Sequence, residues 1–243
     1  MDLLRLLGLR TPKPKKRAVN LAFEYGTHLP VLKAVVEVFQ PRGVLELGAG
    51  KFSTPLFYRH VKKVITVETD ETWIHEVGKL VQPREGFALI HHRVPRLTSK
   101  TRARAISQGT KNECVKYYEG IIDRHPELDF LFIDHVSGLR SWTLFHLYTR
   151  FDFIVYHDAE EKGHGYERFS DFDNGEYFHY VLRAYIPHTG ILIRKRFSPS
   201  MAEFQRCLDN NALGYFKAQY RFELDDLTKG QLPAIEERGS PNP

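Results

Sequence analysis

The sequence of 243 residues is poor in cysteine and has no long apolar run. It contains two cysteines, Cys114 and Cys207, and no Cys-x-x-Cys pair of the kind that forms zinc sites. No apolar stretch reaches the roughly 18–20 residues that a membrane-spanning helix needs. The leucine-rich residues 1–9 lack the basic region and the small-residue cleavage site of a secretory signal. These absences predict a cytoplasmic protein with two free thiols and no membrane span.

Two common nucleotide-binding fingerprints are also missing. A P-loop needs Gly-x4-Gly-Lys-Ser/Thr, but Gly50 and Lys51 are followed by Phe52, and Leu45 stands where the first glycine is required. A dinucleotide-binding loop needs Gly-x-Gly-x-x-Gly, and Ser53 takes the place of its third glycine. The sequence therefore argues against ATP and NAD as cofactors.

Acidic residues are absent from one internal segment. No aspartate or glutamate occurs between Gly86 and Asn112, although the net charge of the whole chain is only +5. The basic residues of this segment are Arg93, Arg96, Lys100, Arg102, Arg104 and Lys111. Such a cluster could hold phosphate, carboxylate or nucleic acid, and it is equally typical of solvated surface. An anionic small molecule is therefore one candidate partner, and nucleic acid is a second.

Apolar segments that favour strands alternate with segments that favour helices. A hydrophobic content of 42% indicates a globular chain, and the alternation predicts a mostly parallel sheet with helices on both faces. We predict one α/β, Rossmann-like domain over residues 20–228, an N-terminal arm over 1–19 and a polar tail over 229–243. Predicted strands cover residues 44–47, 64–68, 87–92, 128–134, 151–158, 190–196 and 215–222.

The predicted helices lie between these strands and beside them. They cover residues 29–39, 53–60, 71–80, 113–124, 137–149, 176–185 and 200–210. Ser53 and Thr54 are the candidate N-cap residues of the second helix. Residues 93–112 are expected to form a long loop, and 160–173 a loop or lid. The last strand–helix–strand unit could supply an antiparallel edge of the sheet.

Two predicted strands each carry an acid at or near the carboxyl end, and a glycine turn follows the first of them. Residues 44–50 read VLELGAG, and residues 64–68 read VITVE. The layout suits a nucleoside cofactor across the carboxyl ends of two parallel strands, because glycines let the backbone approach a ligand closely. Glu46 suits a cofactor that carries positive charge. Glu68 could accept hydrogen bonds from both ribose hydroxyls, and we expect it to face the crevice rather than the core.

Glu46-x-Gly48-x-Gly50 together with Glu68 resembles motifs I and II of class I methyltransferases, which use S-adenosylmethionine (SAM). The resemblance implies SAM as the cofactor. It also implies that the cofactor is held by Glu46, Gly48, Gly50, Ser53 and Glu68.

The segment 128–135, LDFLFIDH, is similar to catechol O-methyltransferase and its metal-dependent relatives. The similarity covers residues 44–158. It implies that Asp134 binds Mg²⁺ beside the cofactor and that His135 borders the adenine. Two departures weaken the likeness: Asp158 is followed by Ala159 where that family has asparagine, and no lysine follows the Asp-His pair. Macrolide-sugar methyltransferases, a looser likeness, use acids and a histidine around the next strand.

These residues predict a SAM-dependent O-methyltransferase that acts on a small polar acceptor such as a sugar or glycan hydroxyl. The catalytic candidates are Asp134, His157 and Asp158, and the candidate metal ligands are Asp134 and Asp158. A histidine or carboxylate could serve as base, or a divalent ion could lower the hydroxyl pKa instead. Two alternatives stay open, a nucleic-acid methyltransferase that uses the basic segment 93–111 and a SAM-binding protein without activity. Glu160, Glu161 and His164 are further candidates for the chemistry.

Overall fold

The computed structural model describes residues 26–94, 106–159, 166, 175–183 and 187–212. The predicted arm, the tail and the strand over 215–222 lie outside these residues, so the domain boundaries stay predictions. The predicted loop over 160–173 also lies outside them, apart from Tyr166. Among the described residues, no helix is both long and apolar enough to cross a membrane.

One sheet of seven strands runs through the molecule. The strands are β1 (Gly43–Leu47), β2 (Lys63–Glu68), β3 (Phe87–His91), β4 (Phe130–Ile133), β5 (Phe153–His157), β6 (Tyr177–Leu182) and β7 (Thr189–Arg194). Their order is β3-β2-β1-β4-β5-β7-β6. Strands β1 to β5 pair in parallel, whereas β7 runs antiparallel to both of its neighbours. The predicted α/β, Rossmann-like fold class is confirmed.

Helices cover both faces of this sheet. They are α1 (Leu29–Phe39), α2 (Ser53–His60), α3 (Glu71–Gly78), α4 (Gln108–Arg124), α5 (Ser137–Leu147) and α6 (201–212). Short 3₁₀ turns, Tyr148–Arg150 and Lys195–Ser200, follow α5 and β7.

The central strand β4 supplies core residues to both faces because successive side chains of a strand point to opposite sides. Phe130 and Phe132 pack against Phe57 of α2 in one buried cluster. Leu131 and Ile133 belong to the cluster that contains the buried residues of α4 and α5. With both faces covered, a ligand can reach the parallel strands only at an edge, and their carboxyl ends share one edge.

The predicted helix over residues 176–185 is wrong, because residues 177–182 form β6. Strand β6 pairs with β7 along its whole length, and this hairpin is the antiparallel edge of the sheet. Its sequence, YFHYVL, is aromatic and branched, a composition that favours strands. Of the predicted strand–helix–strand unit, the first strand is present as β7 and the helix as α6, while the strand over 215–222 lies outside the described residues.

Helix α4 begins at Gln108, inside the segment predicted to be a loop. Ser107 is its N-cap, and its Oγ accepts a hydrogen bond from the Thr110 backbone N–H at 3.1 Å. Serine is a favoured N-cap residue because its oxygen satisfies an unpaired N–H of the first turn. This local signal is present in the sequence and marks the helix start.

A tyrosine links the parallel part of the sheet to its antiparallel edge. Tyr156 of β5 is opposite Gly190 of β7, and a Cβ atom at position 190 would lie 1.9 Å from the tyrosine ring. The Tyr156 hydroxyl reaches Nε2 of His179 on β6 at 2.7 Å. The ring can cross β7 only because position 190 has no side chain.

Candidate functional site

The glycine turn after β1 is held between the ends of two neighbouring strands. The backbone N–H of Ala49 donates to Oε2 of Glu68 at 2.9 Å, at the end of β2. On the other side, Gly48 has a φ of 94°, and a Cβ atom there would lie 2.5 Å from the backbone of Asp134. Position 48 therefore needs glycine both for its left-handed backbone and for this close approach.

Glu68 has a structural role that the sequence does not reveal. Its Oε1 accepts backbone N–H bonds from Thr69 at 2.6 Å and from Asp70 at 2.9 Å, while Oε2 accepts the bond from Ala49. The residue is buried, and burial raises the pKa of its carboxyl against the effect of these N–H groups. The expectation that Glu68 lies apart from the folded core is thus wrong, since its buried carboxylate joins the turn at Ala49 to residues 69–70 through three backbone N–H groups.

Glu46 lies beneath the turn. It has no exposed surface, and its Oε2 accepts hydrogen bonds from the hydroxyls of Thr54 at 2.8 Å and Thr66 at 2.7 Å. The Thr54 hydroxyl in turn accepts the backbone N–H of Gly50 at 3.0 Å. Burial raises the pKa of Glu46 to about 8, against the opposing effect of nearby hydroxyls. The carboxyl of Glu46 is thus connected to the turn through the Thr54 hydroxyl, and its contact with a cofactor stays a prediction.

Ser53 and His135 are buried as well. Ser53 is the first residue of α2, and the expected cap is wrong, because Phe52 is the N-cap and makes no side-chain cap bond. His135 faces Tyr118 of α4, with ring centroids 6.1 Å apart, and burial lowers the pKa of its imidazole to about 3. Both lie beside the turn or β4, and their roles toward a cofactor stay predictions.

Arg140 of α5 joins the two acids at the ends of β4 and β5. Its Nη2 lies 2.9 Å from Oδ1 of Asp134, and its Nη1 forms an ion pair with Asp158. Its Nε donates to the carbonyl of His135 at 2.6 Å. Asp158 itself has a φ of 56°, a left-handed conformation that is uncommon for a residue other than glycine. One guanidinium therefore compensates two carboxylates in a largely buried place.

The Asp134–Asp158 pair does not fit the magnesium ion that the resemblance implies. A magnesium ion requires oxygen ligands in octahedral array, whereas the guanidinium of Arg140 already contacts both carboxylates. The adjacent Ala159 offers no side-chain oxygen, and its backbone N–H donates to the carbonyl of His188.

His157 at the end of β5 is held on both sides of its ring. Its Nδ1 lies 3.2 Å from Oδ1 of Asp134, and its Nε2 lies 2.9 Å from the hydroxyl of Thr27. Burial opposes protonation, but the charge of Asp134 and its hydrogen bond outweigh it and raise the pKa of His157. In return, burial would raise the pKa of Asp134, but the charges of His157 and Arg140 hold it well below its usual range.

His28 stands beside this pair. It is 1% exposed, and both of its ring nitrogens are buried and have no hydrogen-bond partner within the described part of the chain. Its ring meets that of His157 edge-on at a centroid distance of 4.9 Å, and Phe132 lies on another side at 5.1 Å. Burial, with the nearby charge of His157, lowers the pKa of His28 to about 3.

Four residues near the predicted site have no motif in the sequence. Thr27 and His28 immediately precede α1, and Arg140 follows β4 by seven residues. Trp73 of α3 donates its indole N–H to the carbonyl of Ala49, and Lys51 lies over its ring at 5.2 Å. For Arg140 the sequence offers one signal: the two acids at the ends of neighbouring strands require a nearby cation.

The basic segment and the remaining candidates are described only in part. Arg93 pairs with Glu71 at 3.2 Å, and Lys111 lies over the ring of Trp142 at 5.9 Å. The positions outside the described residues are Arg96, Lys100, Arg102, Arg104, Glu160, Glu161 and His164.

The chain is similar to solved methyltransferase structures at low sequence identity. One is a methyltransferase from Geobacter sulfurreducens, with a TM-score of 0.43 and 12% identity over 79% of this chain and 85% of that one. Another is a proposed caffeoyl-CoA O-methyltransferase from Staphylococcus aureus, with a TM-score of 0.48 and 14% identity over 79% and 88%. Human methyltransferase-like protein 13 in complex with SAH has a TM-score of 0.44 and 10% identity over 88% and 94%. No family model and no curated protein matches the chain.

Proposed function

We propose that this protein is a SAM-dependent methyltransferase that acts on an oxygen of a small polar acceptor. The observation that carries the proposal is the position of the glycine turn. The turn contacts Glu68 at the end of β2 on one side and the backbone of Asp134 at the end of β4 on the other. A nucleoside cofactor in an open α/β sheet binds over this kind of turn, at the carboxyl ends of neighbouring strands.

The turn and Glu68 suit the ribose end of SAM. Oε2 of Glu68 accepts a single backbone N–H in the described structure, so an ionised oxygen retains capacity for a ribose hydroxyl. When bound, SAM supplies an electrophilic methyl group on its sulfonium. Glu68 would hold the ribose, and the backbone of residues 48–50 would lie along the cofactor.

Asp134 is the acid best placed to meet an acceptor. Its side chain is 22% exposed, compared with 6% for His157, and it follows the strand next to the turn. A methyl transfer requires the acceptor oxygen in line and close to the carbon that it attacks. Asp134 would accept a hydrogen bond from the acceptor hydroxyl and so fix its direction. Since the two nitrogens of His157 face Asp134 and Thr27, His157 would position Asp134 rather than touch the acceptor.

Calorimetric titration tests the cofactor assignment. SAM and its demethylated product should bind to the purified full chain, whereas NAD and ATP should not, because neither of their fingerprints is present. Binding of NAD at micromolar concentration without binding of SAM would contradict the proposal.

The acceptor is tested by incubating the protein with labelled SAM and separate pools of sugars, glycans, small phenols and carboxylates, and nucleic acid. Each pool is run with magnesium and with a chelator. Label transferred to a small-molecule hydroxyl supports the proposal, and label only in nucleic acid supports the alternative acceptor. Tight binding of SAM with no transfer to any pool would identify a SAM-binding protein without this activity.

A further inference from the structure

We propose that His28, Asp134 and His157 form a binding site for a divalent transition metal ion of the zinc class. One ligand atom from each of the three residues lies within 4.8 Å of the other two. The three come from the turn before α1, the end of β4 and the end of β5, so the fold brings them together from distant parts of the sequence. The site holds whether or not the protein transfers methyl groups.

The orphaned imidazole of His28 is the independent observation that points to an ion. Both of its nitrogens are buried, and neither has a hydrogen-bond partner among the residues that the structure describes. A buried polar group without a partner destabilises the fold, and buried polar groups normally avoid that cost by hydrogen bonding to a neighbour. A metal ion bound to one nitrogen of His28 would remove part of this cost and explain why a histidine, rather than a phenylalanine, packs against Phe132.

The surroundings of His157 follow the pattern of a metal ligand. Its Nδ1 faces Asp134, while its Nε2 lies 2.9 Å from the Thr27 hydroxyl. Histidine ligands usually donate their second ring N–H to an oxygen, which fixes the tautomer and the direction of the ring. On metal binding, Nδ1 would release the proton that it donates to Asp134, and Nε2–H would donate to Thr27, so that the Nδ1 lone pair faces the cluster.

One carboxylate oxygen of Asp134 can accept a further ligand. Its ion-pair and hydrogen-bond contacts with His157 and Arg140 involve Oδ1, so Oδ2 is the atom left for an ion within the described structure. The local charges are also favourable, because Asp134 and Asp158 carry two negative charges against the single positive charge of Arg140.

The type of ion follows from the ligand atoms. Two imidazoles and one carboxylate suit zinc, iron or cobalt, whereas magnesium prefers oxygen ligands alone. Zinc binds nitrogen at roughly 2.0–2.1 Å, so two ligand atoms on one ion lie no more than about 4.2 Å apart. The limit of 4.8 Å within which the three ligand atoms lie is close to this spacing. This site shares Asp134 with the magnesium site that the sequence predicts, but it replaces Asp158 by two histidines.

Cobalt(II) is a suitable probe because its visible absorption reports the ligand set directly. The untagged full chain is stripped with a chelator, dialysed and titrated with Co²⁺, with Zn²⁺ and Mg²⁺ as competitors. We expect one Co²⁺ per chain, displacement by Zn²⁺ but not by Mg²⁺, and a rise in melting temperature on loading. Failure to bind Co²⁺, or displacement by Mg²⁺ at equal concentration, would overturn the proposal.

The decisive variant is His28→Phe. Phenylalanine keeps a ring of similar size and removes two nitrogens that no described residue contacts by a hydrogen bond, so the metal-free variant should fold and melt no lower than the natural chain. Its affinity for Co²⁺ should fall at least tenfold. His60→Ala, which removes an exposed imidazole, should leave the Co²⁺ affinity within about threefold. Unchanged Co²⁺ binding by a folded His28→Phe variant would refute the site.

If His28→Phe does not fold, Thr27→Val supplies the test. This change leaves all three ligands in place and removes only the oxygen that fixes His157, and partners of this kind are worth 10–100-fold in metal affinity. Co²⁺ affinity reduced in this range, with altered visible absorption, supports the site. Unaltered affinity and absorption would contradict it.

Discussion

The hydroxyl of Thr27 lies 2.9 Å from Nε2 of His157, although 130 positions separate the two residues in the sequence. Both residues are buried, so neither can exchange its partner for water. Through this contact the turn before α1 is connected to the end of β5, where the candidate site lies. Its loss would therefore affect the stability of the fold and the position of His157 together.

We expect Thr27→Val to lower the free energy of unfolding by about 1–3 kcal/mol, because Nε2 of His157 is left buried without a partner. Urea denaturation of the metal-free protein measures this change. Thr72→Val is the matched control, since Thr72 is exposed on α3, and it should shift the midpoint very little. Equal effects of the two substitutions would show that the contact contributes nothing.

Glu68→Ala should weaken SAM binding by about 1.5–3 kcal/mol, the usual contribution of hydrogen bonds to a charged group. That range corresponds to roughly a 10- to 150-fold rise in Kd. It should also lower the melting temperature, because three backbone N–H groups lose their acceptor. Calorimetry and thermal denaturation measure the two effects separately.

Asp70→Ala is the control for Glu68→Ala. Asp70 caps α3 by accepting the backbone N–H groups of Thr72 and Trp73, so its removal should destabilise the same region. Its SAM affinity, measured well below the melting transition, should stay within about twofold. A comparable loss of affinity in both variants would show that Glu68 acts through the fold and not through the ribose.

Arg140→Leu should destabilise the protein by about 3–5 kcal/mol, because it leaves buried carboxylates without their cation. Asp158→Asn in the same chain should restore part of that loss, since one of the two negative charges is then absent. A double-mutant cycle on unfolding free energies measures the coupling. Strict additivity of the two substitutions would indicate that the ion pair between Arg140 and Asp158 has no energetic role.

Glu46→Gln should change how stability depends on pH. The folded protein holds the Glu46 proton more tightly than the unfolded chain does, since its pKa is raised from 4.5 to about 8. Between these values the folded state binds more protons, so this residue makes stability fall as the pH rises from about 4.5 to 8. The glutamine variant should lack this contribution to the slope. Its stability relative to that of the natural chain should therefore be higher at pH 8 than at pH 5.

Chemical denaturation at several pH values measures the slope for both proteins. SAM affinity of the Glu46→Gln variant gives the complementary result. Affinity close to that of the natural chain would assign Glu46 to the turn alone, whereas a loss beyond tenfold with normal stability would support the predicted contact with the cofactor. Identical pH profiles for the two proteins would show that the carboxyl is not held neutral.

The sequence reveals those parts of the site that depend on local order along the chain. Apolar runs that end in Glu68, Asp134 and His157 predict parallel strands, and parallel strands place their ends on one edge. The glycine turn is equally local, because the left-handed conformation of Gly48 restricts the residue type. All of these positions lie at strand ends of the sheet as the pattern predicts.

Other contacts depend on packing that no local pattern encodes. Arg140 reaches Asp158 only because the first turn of α5 lies beside the residues that follow β4 and β5. Thr27 and His28 reach His157 only because α1 packs beside β5. The sequence pattern also predicts a helix where β6 lies. Strand β6 is stabilised by pairing with β7, and its own residues do not alternate between buried and exposed. A periodicity argument contains no information about such a partner.

The contact between Tyr156 and Gly190 restricts which residues related sequences can have at these two positions. The tyrosine ring occupies the space where any side chain at position 190 would lie, and its hydroxyl reaches across to His179. A larger residue at position 190 would clash with the tyrosine ring. A smaller residue at position 156 would lose the contact with His179. Related sequences should therefore vary at positions 156 and 190 as a pair, and a homologue with alanine in place of Gly190 is expected to have a smaller residue in place of Tyr156.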